Sequence, residues 1–220
     1  MKKVVIFGNG EVAEVAWYYL VYDSQYEVAA FTVDAAYIKD NTFRGLPVVP
    51  FEQVENEYSP DDYEMLVMIS YAKVNQLRAM KYAEAKKKGY RLISFVSSKA
   101  SVWPDTVIGD NSFIMENNVI QPCAAIGSNV ILWSGNHIGH HTTISDHCFI
   151  ASHVVVSGSV DVGEYSFLGV NATIRDNIKI GKHNVIGAGS LILTDTSDFA
   201  VYPARATEVA SVPSNRLRRI

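Results

Sequence analysis

From Val102 to Ile192 every sixth residue is aliphatic, sixteen in an unbroken series that includes Ile108, Ile114, Ile120, Ile126, Leu132, Ile138 and Ile144. With about half of all positions apolar in an ordinary chain, such a run arises by chance roughly once in 65,000 trials. Small or β-branched residues stand four places after most of the aliphatics, among them Thr106, Ser112, Ala124, Cys148, Val160 and Ala172. A six-residue period drifts around a helix and cannot hold one stripe there. It fits a short strand followed by a corner, with the aliphatic and the small residue two before it pointing into one narrow core. Three such strands close a triangular coil of 18 residues, and Gly109, Gly127, Ser145, Gly163 and Gly181 fall on that longer period. The pattern therefore predicts about five coils over 102–193, stacked about 4.8 Å apart.

Ahead of the repeat the periodicity changes. KKVVIFGNGEVAEVAWYYL reads as a buried strand, a glycine turn and a helix, and EVAAFTVD as a second strand ending on Asp34. RGLPVVPFE, with Pro47 and Pro50, reads as a short edge strand. YEMLVMIS over 63–70 is a further buried strand, NQLRAMKYAEAKKKG a basic amphipathic helix closed by Gly89, and RLISFVS a last strand. Strands alternating with helices predict a small parallel Rossmann-like sheet, giving a domain over 1–98 and a repeat domain over 99–220.

The N-terminal apolar run is too short for the h-region of a signal peptide, so a cytoplasmic location is expected, with no membrane association. A net charge of −4 argues against binding nucleic acid. Cys123 and Cys148, without CxxC spacing, are expected to be buried structural thiols, and no metal site is expected. Gly8-Asn9-Gly10-Glu11-Val12-Ala13 matches G-x-G-x-x-A at a strand-to-helix junction, where free N–H groups and the helix dipole favour a phosphate, and Asp34 stands where an acid binds a ribose hydroxyl. An NAD oxidoreductase is the first reading of that motif, and a plain tight turn the other. The repeat leaves no length for a dehydrogenase substrate domain.

The unbroken [LIV]-G-x-x-[STAV]-x array resembles the hexapeptide-repeat acyltransferases, a resemblance that implies a left-handed parallel β-helix, a homotrimer and acyl-CoA bound between subunits. With the N-terminal domain included, the chain resembles the NeuD/PglD group of sugar acyltransferases, in which a Rossmann-like domain holds a nucleotide-sugar. That likeness implies that Gly8, Asn9 and Gly10 approach the sugar-nucleotide phosphates and that Asp34 bonds the base or ribose. The stretch Ser70 to Arg78 also looks like this group, which puts Tyr71, Asn75 and Arg78 at the substrate; for Lys73 and Arg78 a solvated helix face is the alternative. Acetyl-CoA is implied along the last coils, near Gly169, Asn171, Gly187, Pro203 and Arg205.

Five of the six histidines fall between His137 and His153. Acyl transfer needs a general base that titrates near neutrality, which suits histidine. Trp133-Ser134-Gly135-Asn136-His137-Ile138-Gly139-His140 lies on the group's NTG-x-x-I-x-H pattern, so the likeness makes His140 the base, with His141 beside it. Gly158, one coil on, becomes the oxyanion donor. Two departures stand out: the acid that often adjoins this histidine is replaced by Gly139 and His141, and a second family histidine is Phe149 here. His137, His147 and His153 read equally as filling for a subunit interface, and Trp133 as a side chain that a second subunit covers. The function implied is N-acetylation, from acetyl-CoA, of a UDP- or dTDP-linked deoxy-amino-sugar in bacterial surface-glycan (O-antigen) synthesis. The alternatives are O-acetylation of a sialic-acid-type sugar and a non-catalytic nucleotide-sugar scaffold.

Overall fold

A computed structural model describes residues 2–216. The N-terminal part is an α/β sheet in the order β3-β4-β2-β1-β5, made of β1 (Lys2–Phe7), β2 (Tyr26–Val33), β3 (Thr42–Phe43), β4 (Leu46–Pro50) and β5 (Tyr63–Val67). β1 lies parallel between β2 and β5, with α1 (Glu11–Tyr22) crossing to β2 and α3 (Gln76–Lys87) following β5; a short α2 (Val54–Glu57) precedes β5. The proline-bearing β4 is not the edge expected of it. Thr42–Phe43 folds back antiparallel outside it through a turn at Arg44 and Gly45, both in the left-handed region. The strand expected over 91–97 is split. Leu92 bridges to Met65 at the sheet margin, while Phe95–Val96 already pairs with the repeat.

The repeat forms eighteen two-residue strands, from β6 (Phe95–Val96) to β23 (Val201–Tyr202), in three parallel stacks of seven, six and five. It therefore runs one strand further at each end than the 102–193 read from the sequence. Register advances by 18 residues, as in Ile120↔Ile138 and Ile126↔Ile144. The aliphatic series and its small partners, including Ala124, Cys148, Val154 and Ala172, fill one continuous core. Each fully buried aliphatic contributes about 1.5–3 kcal/mol.

The corners recur with equal regularity. Fourteen residues, every sixth from Asn111 to Gly189, have φ between 53° and 80°. Asn, His and Gly occupy most of these positions, as the left-handed region favours. Three of the clustered histidines, His141, His147 and His153, together with His183, are such corner residues, which accounts for much of the histidine density.

One face of the β-helix docks against the N-terminal domain. Its outward residues Phe95, Phe113, Ile131, Phe149 and Phe167 share a core with Val4, Ile6, Ala13, Leu20 and Met68. Trp133 packs into this cluster too, so its cover comes from its own chain. Arg78 clamps the docked edge. Fully buried, it donates to the carbonyls of Asn129 (3.2 Å), His147 (2.9 Å) and Cys148 (3.0 Å) and to Asn75 Oδ1 (3.0 Å). Asn75, also fully buried, donates to the Tyr165 carbonyl at 2.9 Å. Burial lowers the Arg78 pKa to about 9, so the guanidinium is charged at neutral pH. Arg78 and Asn75 thus tie the two domains together, and Arg78 is not on a solvated helix face.

Cys148 lies in the core with its thiol pushed up to about 12 by burial, whereas Cys123 sits exposed at a corner, contrary to the expectation for both. No helix is long and apolar enough to cross a membrane among the described residues. Replacing Arg78 by Met removes the donor from several buried carbonyls at about 1–3 kcal/mol each. Chemical denaturation of Arg78→Met is expected to show a loss on the order of 3 kcal/mol.

Candidate functional site

The three faces of the β-helix meet at three corners, and the sequence-predicted residues distribute among them. Following the chain, the docked face is succeeded by a second face carrying Val119, His137 and Val155 outward, then by a third carrying Ala125, Thr143 and Asp161. His140, His141 and Gly158 lie where the second and third faces meet, on the side away from the N-terminal domain.

At that corner the His140 ring lies close against Gly158 of the next coil. A Cβ on Gly158 would stand 2.6 Å from Cε1 and 2.7 Å from Nε2 of His140, so only glycine admits the ring here. The Gly158 N–H has no acceptor among the described residues, while the carbonyl accepts from Asn177 at 3.0 Å. The His140 amide donates to Gln121 Oε1 at 2.9 Å, which fixes the corner from the coil below. Gln121 was not singled out in the sequence; counting back one coil from His140 leads to its neighbour. The Nδ1 atoms of His140 and His141 are 3.1 Å apart, and both side chains are exposed. An exposed imidazole next to a residue whose backbone amide has no acceptor offers a group that can take a proton from a reactant and a donor that can stabilise negative charge on it.

The other histidines differ. His147 is wedged at the docked edge between Tyr82 and Tyr165, with Nδ1 2.9 Å from Asn129 Nδ2, and burial lowers its pKa. His153 is an exposed corner residue lying over Gly135, and His137 is half-buried on the second face.

Gly8, Asn9, Gly10, Asp34 and Tyr71 gather at the carboxyl ends of β1, β2 and β5. Gly8 has φ +130° and a Cβ there would meet the Met68 carbonyl at 2.4 Å, so this glycine serves the turn itself. Gly10 is different. Its backbone is extended (φ −102°, ψ −173°), and a Cβ would meet nothing within 4 Å, so the fold places no demand for glycine there. It caps α1 with no side-chain hydrogen bond, leaving the helix N-terminus open to an anion. Asn9 Nδ2 donates to the Tyr37 carbonyl at 3.3 Å. Asp34 is bound by Lys81 Nζ at 2.6 Å, which also holds Glu84 at 2.8 Å. Asp34, Lys81 and Glu84 line an open cavity of about 930 Å³ together with Tyr37 and Phe51. Lys81 escaped the sequence reading because only the packing of α3 on the sheet brings it to Asp34. Tyr71 is exposed, its ring 5.1 Å from Phe149 and 4.8 Å from Phe167.

Gly169, Asn171, Gly187, Pro203 and Arg205 follow one edge of the last coils, where the docked and second faces meet. Asn171, Pro203 and Arg205 are exposed. The Cα positions of Gly169 and Gly187 are covered by the next turn of chain: a Cβ would meet the Ala188 amide at 2.7 Å and the Ala204 amide at 2.3 Å. Those glycines let the coils stack. Among the described residues no group of three or more His, Cys, Asp or Glu comes together as metal ligands.

Residues 105–140 and 159–194 match the family described as bacterial transferase hexapeptide (six repeats). No curated protein sequence matches the chain. Among solved structures, it is similar to PerB, the perosamine N-acetyltransferase from Caulobacter crescentus, in complex with CoA and GDP-perosamine: TM-score 0.80, 26% identity, 90% of this chain and 92% of that one. The acetyltransferase domain of PglB from Neisseria gonorrhoeae FA1090 superposes with TM-score 0.79 at 22% identity, over 91% and 96% of the two chains. WeeI from Acinetobacter baumannii AYE follows with TM-score 0.70 at 16% identity, over 90% and 94%. Repeat and fold together identify the C-terminal part as a left-handed hexapeptide-repeat β-helix, joined to a Rossmann-like domain in an arrangement similar to that of the perosamine N-acetyltransferase structure.

Proposed function

We propose that the protein transfers an acetyl group from acetyl-CoA to the amino group of a nucleotide-linked deoxy-amino-sugar, in the cytoplasm, for bacterial surface-glycan synthesis. The observation that carries this reading is the His140 ring laid against Gly158 with an unpaired amide beside it. The likeness to a perosamine N-acetyltransferase holding CoA and GDP-perosamine, which extends over both parts of the chain, supports it.

In this reading the sugar amine attacks the thioester carbonyl while His140 Nε2 accepts the amine proton. The Gly158 N–H donates to the oxyanion of the tetrahedral intermediate. Collapse expels the CoA thiolate, which takes the proton back from His140, so the products are the acetamido sugar and CoA thiol. Gly10, with the open end of α1, receives the diphosphate, and Asp34 and Tyr71 border the nucleotide and sugar. Uridine, thymidine and guanosine carriers are separated by assay against each.

The division of residues among corners supports an assembled site. In one chain His140 lies away from the N-terminal domain, and the acetyl-CoA edge with Asn171, Pro203 and Arg205 is a different corner. A homotrimer that sets the second-to-third corner of one copy against the docked-to-second corner of the next joins base, acetyl-CoA and nucleotide-sugar.

Release of CoA thiol from acetyl-CoA is expected with UDP-, dTDP- or GDP-linked amino-sugars; nucleotide-sugar binding without thiol release from any of them would identify a scaffold instead. His140→Ala is expected to lower kcat by about 10²–10⁴-fold and to erase the acid limb of the pH profile. Gly158→Ala, which forces the His140 ring aside, should give a comparable loss in a normally folded protein, and full activity would remove Gly158 from the site. Gly10→Val should fold as the parent does but raise the sugar-nucleotide KM, with the acetyl-CoA KM unchanged.

A further inference from the structure

The corner that carries the proposed base contains a second imidazole in direct contact with it. The Nδ1 atoms of His140 and His141 are 3.1 Å apart and the rings cross nearly at right angles, at 83°. His141 takes φ 58°, one of the left-handed corner conformations, and it is this turn that directs its ring back onto its neighbour. The hydrogen bond that the His140 amide donates to Gln121 Oε1 holds the other side of the corner. No carboxylate forms an ion pair with either ring among the described residues. The titratable groups on the neighbouring coils are the exposed Cys123 one coil before His141, His137 on the second face, Asp161 on the third, and Arg175 and Asp176 one coil beyond Gly158; Asp176 accepts from Asn177 at 2.5 Å.

Two imidazole nitrogens at hydrogen-bonding distance must share one proton: one donates and the other accepts. If His140 carries it, His140 Nδ1–H donates to His141 Nδ1, the proton of His141 sits on Nε2 in solvent, and His140 Nε2 is bare. That bare nitrogen is the one lying against Gly158. If both rings were charged, two N–H groups would face each other across 3.1 Å, so the contact survives one added proton and not two.

We propose that His141 is the positioning residue of this site: it accepts the Nδ1 proton of His140, fixes Nε2 as the base nitrogen, and restricts the pair to a single added proton. An imidazole in this role differs from a carboxylate. It orients the ring by accepting its Nδ1 proton but adds no negative charge beside it. The kinetic part of this inference rests on the proposed function; the tautomer part does not.

The test uses the full-length protein labelled with ¹⁵N-histidine. Long-range ¹⁵N–¹H spectra at a pH above the histidine titration are expected to show His140 protonated on Nδ1, and His141→Asn, which suits the left-handed corner, should return it to the Nε2–H form common in free histidine. In steady-state assays His141→Asn should lower kcat by on the order of tenfold to a hundredfold with both KM values within about twofold. His141→Glu should recover kcat and move the acid limb to higher pH by about one pH unit, because the added carboxylate favours the imidazolium. An Nε2–H tautomer for His140 in the parent protein, or a His141→Asn variant with unchanged tautomer and kcat, overturns the proposal. Should His140→Ala be fully active while the tautomer responds as described, the base assignment falls and the positioning contact stands.

Discussion

A coil made of three two-residue strands presents only one inward strand side chain per strand, and each must meet the equivalents 18 residues before and after it. That vertical contact is the constraint on which the C-terminal half depends. It demands an aliphatic at every sixth position, a small partner two residues earlier, and a corner that reverses the chain within the four residues left. Non-glycine residues meet the last demand at a modest steric cost in the left-handed region, which is why asparagine and histidine recur there. The same stacking makes glycine necessary wherever a neighbouring coil passes close overhead, as at Gly139 beneath Gly158, where a Cβ would stand 2.5 Å from the amide.

The union of the two halves rests on different chemistry. A ladder of phenylalanines along the docked face supplies apolar area, and Arg78 supplies direction, because a guanidinium satisfied by backbone carbonyls of successive coils fits only one register. Burial of a charge without a carboxylate partner is costly. Here the carbonyls and Asn75 accept from it at short range, which fixes α3 against the edge formed by Asn129, His147 and Tyr165.

Repeat and layer order were legible because each depends on local periodicity. So were the strand-to-helix junction at Gly8 to Gly10 and the pairing of His140 with Gly158, which follows from an 18-residue step. What escaped depends on packing between elements. The burial of Arg78 and Asn75 is invisible until α3 is laid on the β-helix, since a basic residue at a helix start reads equally as a ligand or as a solvated side chain. Cys123 and Cys148 look alike in sequence, yet one occupies a left-handed corner and the other an inward position. The contact between His140 and His141 was hidden by the ordinary expectation that adjacent side chains diverge, an expectation that the positive φ at His141 reverses.

Strands of two residues have a further consequence at the open end of the β-helix. Among the described residues the last coil leaves Leu191 and Val201 exposed on strands that end their stacks, the kind of margin on which foreign chains can add and fibrils can start. Each margin here is only two residues long and breaks at a sharp corner, so an incoming strand finds a step and not a rail. A rod of parallel strands can in this way stay finite without a large cap, because its template is too short to copy.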